Sequence, residues 1–256
     1  MTDNMNLVLI YFAIKYKGYF HNIYEAIKNK EFIELEELKK IKEKVLVGEI
    51  KAITIVDDDY PESLKQINKP PFVLFYEGNK ELLKGKMLAL TGDFSNDNID
   101  KFLNESFFEI SKNYTLVSNF SKGLDEKIVD HFLLNKNNII LVSSNGLINP
   151  YFGKNIDDKS MYDNNKYLII SEYPNGVNLN RERLIQRNRI TIGLSEALIL
   201  ASSKKESKIL SLVSFALEQG KEVFCYPGLQ DENDGNNLLI SDGATMITSI
   251  KNKLLN

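Results

Sequence analysis

A short basic segment near residue 187 carries the clearest chemical signal in the sequence. It reads Arg181-Glu182-Arg183-Leu184-Ile185-Gln186-Arg187-Asn188-Arg189. Arginine side chains are planar and bind phosphate oxygens through paired hydrogen bonds, and an amide between two of them can fix a loop or read a base edge. Arg187, Asn188 and Arg189 are therefore candidate ligands for phosphate or nucleic acid. The alternative is that the segment is simply the solvated face of a helix.

Small polar residues follow several short apolar runs of the chain. The segments are Thr91-Gly92-Asp93-Phe94-Ser95, Ser118-Asn119-Phe120-Ser121-Lys122-Gly123, Ser143-Ser144-Asn145-Gly146 and Ala201-Ser202-Ser203. In parallel sheets ligands bind beyond the carboxyl ends of the strands, and glycine lets a backbone approach a ligand closely. Hydroxyls and free amides at helix starts also suit phosphate oxygens. These segments therefore predict a crevice that binds an anion, the alternative being that they only form turns.

Signatures of known catalytic and cofactor sites are missing from the sequence. It has no Walker phosphate loop, no Gly-x-Gly-x-x-Gly fingerprint, no nucleophile elbow and no metal-ligand spacing. Glu172 follows a predicted strand and could act as an acid, but a lone carboxylate equally suits anchoring of the arginine segment. His131 is interpreted as a packing or surface residue. The chain is therefore predicted not to be an enzyme, and neither a cofactor nor a metal is expected.

Alternating apolar and amphipathic runs predict the elements that would position these residues. Strands are predicted at 87–90, 115–117, 138–142, 167–170, 197–200, 222–226 and 245–248. Helices are predicted between them at 98–112, 125–135, 181–192 and 208–219. This order is typical of βαβ units, so the predicted fold class is α/β, with a Rossmann-like, doubly wound and mostly parallel sheet. The polar segment 149–166 is predicted to be a loop.

The first 50 residues form a separate predicted unit, a small helical lobe. Asn22 and Glu25 have the spacing of a capping box, which predicts a helix start at Asn22. Two other helices are predicted from apolar residues at helical spacing, namely Leu9, Phe12, Ala13 and Tyr16, and then Phe32, Leu35, Leu38 and Ile41. The chain is thus predicted to divide into a lobe over residues 1–50 and a Rossmann-like domain over residues 51–256.

The charge balance limits which partners the overall surface can bind. The 256 residues carry a net charge of -3 and give a pI near 5.6, which argues against a surface coated with basic groups for bulk nucleic-acid binding. Any nucleic-acid site must therefore be local. No signal peptide and no apolar run long enough to span a bilayer is found, so a cytoplasmic protein without membrane contact is expected.

An ordered set of motifs extends from Tyr60 to Thr248. The set includes Tyr60-Pro61-Glu62-Ser63-Leu64 with Pro70-Pro71, Ser118 to Asp125, Ser171-Glu172-Tyr173-Pro174, Arg187-Asn188-Arg189, and Ala216 to Phe224 with Pro227-Gly228. Taken in order, the set resembles the DprA/Smf family of DNA-processing proteins. The resemblance implies a Rossmann-like domain that binds single-stranded DNA, forms a homodimer and loads the RecA recombinase during natural transformation.

The resemblance also implies roles for individual residues. Lys122 would be the basic residue of the second loop, and Gly123 its close-approach glycine. The basic block beside the pocket would be Arg187, Asn188 and Arg189, and the predicted site is completed by Gly92, Ser118 and Lys208. Binding through the phosphate backbone would be salt-dependent and largely independent of base sequence.

Several positions depart from the family pattern. Gly92-Asp93-Phe94 stands where the family has Gly-(Ser/Thr)-Arg, so a carboxylate or a ring replaces a cation, and weaker DNA binding is expected. Asn119 replaces a glycine of the second loop. Lys208 lies in a segment that replaces a Ser-Gly-Ser turn, where it could supply the missing charge or only cap a surface helix.

Two other classes of function stay open at this stage. One is a nucleotide-processing enzyme related to the phosphoribohydrolases, whose Pro-Gly-Gly-x-Gly-Thr signature is absent from this sequence. The other is a degenerate homologue that keeps its interaction surface and has lost the ligand pocket.

Overall fold

A mixed sheet of nine strands forms the centre of the protein in the computed structural model, which describes residues 2–147, 163, 165–229 and 234–251. The strands are β1 (Ala52–Thr54), β2 (Val73–Gly78), β3 (Met87–Gly92), β4 (Thr115–Ser118), β5 (Ile139–Ser143), β6 (Tyr167–Ser171), β7 (Ala197–Ser202), β8 (Glu222–Cys225) and β9 (Thr245–Met246). They lie in the order β1-β2-β6-β5-β4-β3-β7-β8-β9. The β1/β2 and β2/β6 pairs are antiparallel and the others parallel, which confirms the predicted mostly parallel sheet.

Helices connect and cover the strands. They are α1 (Thr2–Lys15), α2 (Phe20–Lys28), α3 (Leu35–Leu46), α4 (Glu62–Lys65), α5 (Asp97–Asn113), α6 (Leu124–Leu134), α7 (Arg181–Leu194), α8 (Leu210–Glu218) and α9 (Gly235–Ser241). The four helices predicted within the sheet domain, α5 to α8, agree with these bounds to within two residues at each end. None of the helices in the described chain combines the length and apolar character that a membrane crossing requires. Most of the predicted loop 149–166 lies outside the described residues.

The sheet is buried on both faces. Leu88 and Leu90 of β3 belong to the core under α5 and α6, whereas the intervening Ala89 packs with Ile192 of α7 on the other face. This double burial explains why the strands read as unbroken apolar runs. Strands β4, β5 and β6 lie on one side of β3, and β7, β8 and β9 lie on the other. The winding therefore reverses between β3 and β7, where ligands bind in open α/β sheets.

The N-terminal lobe packs on the antiparallel end of the sheet. Phe12 of α1 shares a core with Val73 and Phe75 of β2. The predicted capping box is wrong, because α2 begins at Phe20 and Asn22 lies inside the helix. Tertiary packing sets this start, since the ring of Phe20 stacks on that of Phe72 with centroids 5.0 Å apart. The predicted division at residue 50 stays a prediction.

The predicted apolar face of α3 is only partly buried. Ile41 is buried and Leu38 half-buried, but Phe32 and Leu35 expose 78% and 65% of their surface. Phe32 precedes the helix, which begins at Leu35, so it does not share the helical periodicity. The buried stripe instead runs through Leu38, Ile41 and Val45.

A buried arginine joins the lobe to the sheet domain. The guanidinium carbon of Arg183 lies 5.0 Å from the ring centroid of Tyr19 in the lobe and 5.0 Å from that of Tyr173 after β6. Its Nη1 donates a hydrogen bond to the carbonyl of Asn178, and the residue is only 5% exposed. Cation–π attraction is strongest where the cation has lost its water, so this contact stabilises the docking of the lobe.

We expect Arg183→Met to destabilise the protein by about 2 to 4 kcal/mol, because both the cation–π contacts and a charged hydrogen bond are lost. Urea unfolding monitored by circular dichroism measures this free energy. Arg181→Met is the matched control, since Arg181 is exposed on the same helix. Equal stability of the two variants would contradict a role of Arg183 in docking the lobe.

Candidate functional site

Three loops meet at the carboxyl edge of the sheet, beyond β3, β4 and β7. We call the surface formed by residues 92–96, 118–123 and 202–209 the crevice. Asp93 links two of these loops, since its Oδ2 accepts from the backbone N of Lys204 at 2.8 Å and its Oδ1 from the Ser207 hydroxyl at 2.8 Å. A Cβ added to Gly123 would lie 3.6 Å from the Asp93 carbonyl oxygen, so the third loop is adjacent. The Asp93 carboxylate thus joins the loops after β3 and β7, and the loop after β4 packs beside them.

Gly92 is needed for packing at the end of β3. A Cβ at this position would lie 2.4 Å from Leu124 Cδ2 and 2.8 Å from Ser202 Oγ. The space above Gly92 is therefore filled by α6 and β7. Gly92, which was predicted to let the backbone approach a ligand, is packed against protein atoms instead.

Lys122, Gly123 and Lys208 lie on the surface of the crevice. All three are exposed. Gly123 has φ +96°, a conformation that side-chain-bearing residues rarely adopt, and it caps the start of α6. Lys122 and the start of α6 therefore lie together at the surface, where the Glu126 carboxylate accepts a hydrogen bond from the backbone N of Gly123.

Ser118, Asn119 and Asn188 lie inside the protein, where each takes part in hydrogen bonds. The Ser118 hydroxyl accepts from the backbone N of Phe120. Asn119 Nδ2 donates to Asn188 Oδ1 at 2.7 Å, and Asn188 Nδ2 donates to Ser211 Oγ at 2.7 Å. These bonds tie the second loop to α7 and α8. The two asparagines thus set the positions of crevice elements from within.

Arg189 also lies inside the protein, in a bidentate ion pair. Its Nη1 and Nη2 donate to the two carboxylate oxygens of Glu172 at 2.7 and 2.5 Å, and both residues are about 5% exposed. Its Nε donates to the carbonyl of Lys69, and Nη1 also donates to that of Gln186. The anchoring role that the sequence left open for Glu172 is the arrangement observed.

Arg187 is buried near the carboxylate of Asp125. Arg187 is 5% exposed. Burial raises the pKa of Asp125 to about 6, against the opposing effects of the Thr91 hydroxyl, which donates to it, and of the positive charge of Arg187. Neither predicted phosphate-binding arginine is therefore exposed: Arg187 lies near Asp125, and Arg189 lies against Glu172 and Lys69, away from the crevice loops.

The structure adds two lysines and a cavity that sequence reasoning missed. Lys204 and Lys205 are exposed directly after Ser203, so reading two residues further past the β7 run would have found them. A cavity of about 310 Å³ opens beside Lys204, between the ends of β3, β7 and β8. We call it the Phe94–Tyr226 cavity, after the two rings in its wall. The position of Tyr226 beside Phe94 depends on strand order, which no local pattern shows.

Other chemical groups of the protein are engaged in packing. The ring of His131 stacks on that of Phe107 with centroids 4.2 Å apart, and burial lowers its pKa. Cys225 is buried in β8, and burial raises the pKa of its thiol to about 12. Within the described ranges, no group of three or more His, Cys, Asp or Glu side chains is placed to hold a metal ion.

Comparison with known proteins identifies the family. The family model for DNA recombination-mediator protein A matches residues 51–256. The chain belongs to the DNA recombination-mediator protein A family. This membership confirms the DprA/Smf resemblance and assigns the chain to DNA processing as a recombination mediator.

Two curated relatives support the assignment. DNA processing protein DprA of Streptococcus pneumoniae is 33% identical over 203 residues, which cover 77% of this chain and 71% of that protein. DprA of Bacillus subtilis is 33% identical over 205 residues, covering 78% of this chain and 69% of the relative.

Solved structures show the same fold. DprA from S. pneumoniae superposes with a TM-score of 0.76 at 26% identity, covering 98% of this chain and 97% of that one. DprA from Helicobacter pylori, whose structure is described for its single-stranded DNA binding mode, superposes with a TM-score of 0.66 at 23% identity, covering 79% and 93%.

We expect the ion pair between Arg189 and Glu172 to stabilise the fold and not to contact a ligand. Arg189→Met or Glu172→Met alone leaves an uncompensated buried charge and destabilises by about 3 to 5 kcal/mol. The double variant removes both charges, and its loss in free energy of unfolding is expected to be smaller than the sum of the losses in the two single variants. Denaturant unfolding of the three variants measures this coupling. Purely additive losses would contradict it.

Proposed function

We propose that this protein binds single-stranded DNA along the crevice, through exposed lysines that contact the phosphate backbone. The observation that carries the proposal is the position of Lys122, Lys204, Lys205 and Lys208, which are all exposed on the crevice loops. They gather positive charge at one edge of a protein whose net charge is -3. Local basic surfaces of this kind attract nucleic-acid backbones.

The buried arginines act in this proposal as positioning residues. Arg189 fixes α7 against Glu172, and Asn188 of the same helix binds Asn119 and reaches Ser211. Arg187 lies below the surface beside Asp125. In this proposal the exposed lysines make the phosphate contacts that the sequence predicted for Arg187, Asn188 and Arg189. Gly92 and Ser118 support the crevice loops from inside the protein.

The comparisons support single-stranded DNA as the ligand. A protein of this fold, DprA of H. pylori, has a described single-stranded DNA binding mode, and the closely matched family is named for mediating DNA recombination. Four lysines in contact with phosphates correspond to a slope of log affinity against log salt of about -3 for a single strand. Binding of this kind requires no covalent chemistry, so we propose a binding protein and not an enzyme.

Replacing Lys122, Lys204 and Lys208 together by Gln tests the proposal. We expect single-strand affinity at low salt to fall at least tenfold, and the salt slope to become shallower by about 2, because three phosphate contacts are lost. Fluorescence anisotropy of a labelled oligothymidylate across a salt series measures both quantities.

The matched control replaces Lys86, Lys112 and Lys136 by Gln. These lysines are exposed at the opposite edge of the sheet, before β3, β4 and β5. Equal losses in the two triple variants would mean that only the overall charge matters. No binding by the wild type at low salt would favour the degenerate homologue that keeps only its interaction surface.

The partners proposed beyond DNA are a second copy of the chain and RecA, and the proposed location is the cytoplasm. The β9 end of the sheet supports self-association, because an edge strand offers unpaired backbone groups. Met246 of β9 and Leu238 of α9 expose 52% and 47% of their surface there. RecA is proposed from the resemblance, and failure of RecA to retain this protein in a pull-down would contradict it.

We expect Leu238→Asp to shift the protein from dimer to monomer, because a charge would be buried at the interface. Light scattering over a concentration series measures the molar mass. The control is Leu46→Asp, since Leu46 is 74% exposed on the N-terminal lobe. A monomeric wild type would contradict the proposed dimer. Dissociation by Leu46→Asp would indicate that the interface lies on the N-terminal lobe.

A further inference from the structure

The carboxylate of Asp125 is a buried charge between two of the crevice loops. Asp125 lies in the first turn of α6, and only 4% of its surface is exposed. Its Oδ1 accepts from the Thr91 hydroxyl at 2.6 Å, and its Oδ2 accepts from the backbone N of Ser121 at 3.2 Å. The backbone of Gly92 also donates a hydrogen bond to it. One carboxylate therefore joins the end of β3 to the loop after β4.

The loop after β4 has an unusual backbone that requires such a restraint. Phe120 has φ +49°, in the left-handed region that residues with a side chain rarely adopt, and Gly123 has φ +96°. Backbones of this kind persist where the surroundings hold them. Ser121, whose N–H is bound by Asp125, lies between the two, and the next residue is the exposed Lys122. The Asp125 carboxylate therefore fixes the backbone that carries Lys122.

Arg187 of α7 is the charged group that acts on Asp125. Its positive charge favours the ionised carboxylate. The other charged side chains at the start of α6 and on the segments packed against it are exposed or bonded to other groups, namely Asp93, Asp97, Asp100, Lys122, Glu126 and Lys127. The ionisation of Asp125 is thus governed by its burial, by the hydrogen bonds from two loops and by Arg187.

The ionised form of Asp125 is not the form that the fold favours. Burial raises its pKa to about 6, from an ordinary value of 3.8, against the hydrogen bonds from Thr91 and Ser121 and the charge of Arg187. Between these two pH values the folded protein holds a proton that the unfolded chain has released, so the free energy of unfolding falls as the pH rises. Ionised Asp125 thus lowers stability at neutral pH while it restrains two loops.

A proton on Asp125 would weaken this restraint. A protonated carboxyl group has one oxygen that donates a hydrogen bond, whereas the backbone N–H of Ser121 can only donate. Hydrogen bonds to an ionised acceptor are also roughly twice as strong as those to a neutral one. The loop after β4 is therefore held less firmly when Asp125 is protonated.

We propose that Asp125 is a positioning residue for DNA binding, whose ionised carboxylate holds the loop after β4 in its binding shape and whose protonation weakens the binding. The inference rests on the proposed function and adds how the shape of that surface is maintained and when it is lost. Histidines gain positive charge and exposed carboxylates lose negative charge as the pH falls, and both changes favour an anionic ligand. A loss of affinity in acid therefore distinguishes Asp125 from these groups.

The test measures the affinity for an oligothymidylate, whose base does not titrate in acid, by fluorescence anisotropy at constant ionic strength. We expect the wild type to bind about three- to tenfold more weakly at about pH 5 than at about pH 7.5, with the loss beginning near pH 6. Circular dichroism at each pH checks that the fold persists.

Asp125→Asn mimics the protonated side chain. At neutral pH we expect it to bind at least about fivefold more weakly than the wild type, although it removes a negative charge, and to lose no further affinity in acid. The matched control is Asp130→Asn, since Asp130 is half-buried on the same helix. The control is expected to keep the pH profile of the wild type.

A second variant leaves Asp125 in place. Thr91→Val has a similar shape but cannot donate to the carboxylate, so it removes a contact that favours the ionised form. The acid loss of affinity is expected to begin at a higher pH in this variant than in the wild type. A merely structural role of Asp125 would not move the pH profile, so this readout keeps the inference testable if Asp125→Asn does not fold.

The outcomes separate the inference from the proposed function. A wild type that binds at neutral pH and keeps or gains affinity in acid would overturn the role of Asp125 and leave binding in the crevice intact. The same acid loss in Asp125→Asn as in the wild type, or an unmoved profile in Thr91→Val, would also overturn it. No binding by the wild type at neutral pH and low salt would contradict the proposed function, and this inference with it.

Discussion

Two opposite charges, on Arg189 and Glu172, are buried together where α7 passes the end of β6. An unpaired charge at this depth would cost several kcal/mol, roughly the stability margin of a domain, so the pair fixes α7 in one position. The same helix carries Arg183, whose guanidinium contacts the rings of Tyr19 in the lobe and Tyr173, and Asn188, which joins the 118–123 loop to α8. The geometry of the carboxyl edge therefore depends on a helix whose residues 187–194 are all buried.

The crevice shows how an acidic protein can present a local basic surface. Asp93 stands where the family pattern has a small hydroxyl residue before a cation, yet its carboxylate accepts hydrogen bonds from Lys204 N and Ser207 Oγ. Its negative charge is used to shape the loop that carries the exposed lysines. Phe94, at the cation position itself, contributes a ring to the adjacent cavity.

Much of the fold could be predicted from the sequence, because strands buried on both faces read as unbroken apolar runs and α5 to α8 keep a helical period. The start of α2 could not be predicted, because it is set by the packing of Phe20 on Phe72 and not by a local capping residue. Within the site, the segments with Gly92, with Lys122 and Gly123, and with Ser202 were predicted from their positions after strands, and Lys208 from the family resemblance. The burial of Arg187 and Arg189 was not predicted, because an arginine that binds phosphate and one that pairs with a distant glutamate look alike in a sequence. Only the strand order brings Tyr226 beside Phe94.

We propose that single-stranded DNA lies on the carboxyl edge of the sheet. Hydrogen–deuterium exchange with mass spectrometry, with and without saturating oligothymidylate, tests it directly. We expect slower exchange in residues 92–96, 118–123 and 202–209, and unchanged exchange at the opposite edge, in residues 84–86 and 112–114. Protection confined to the opposite edge or to the N-terminal lobe would contradict it.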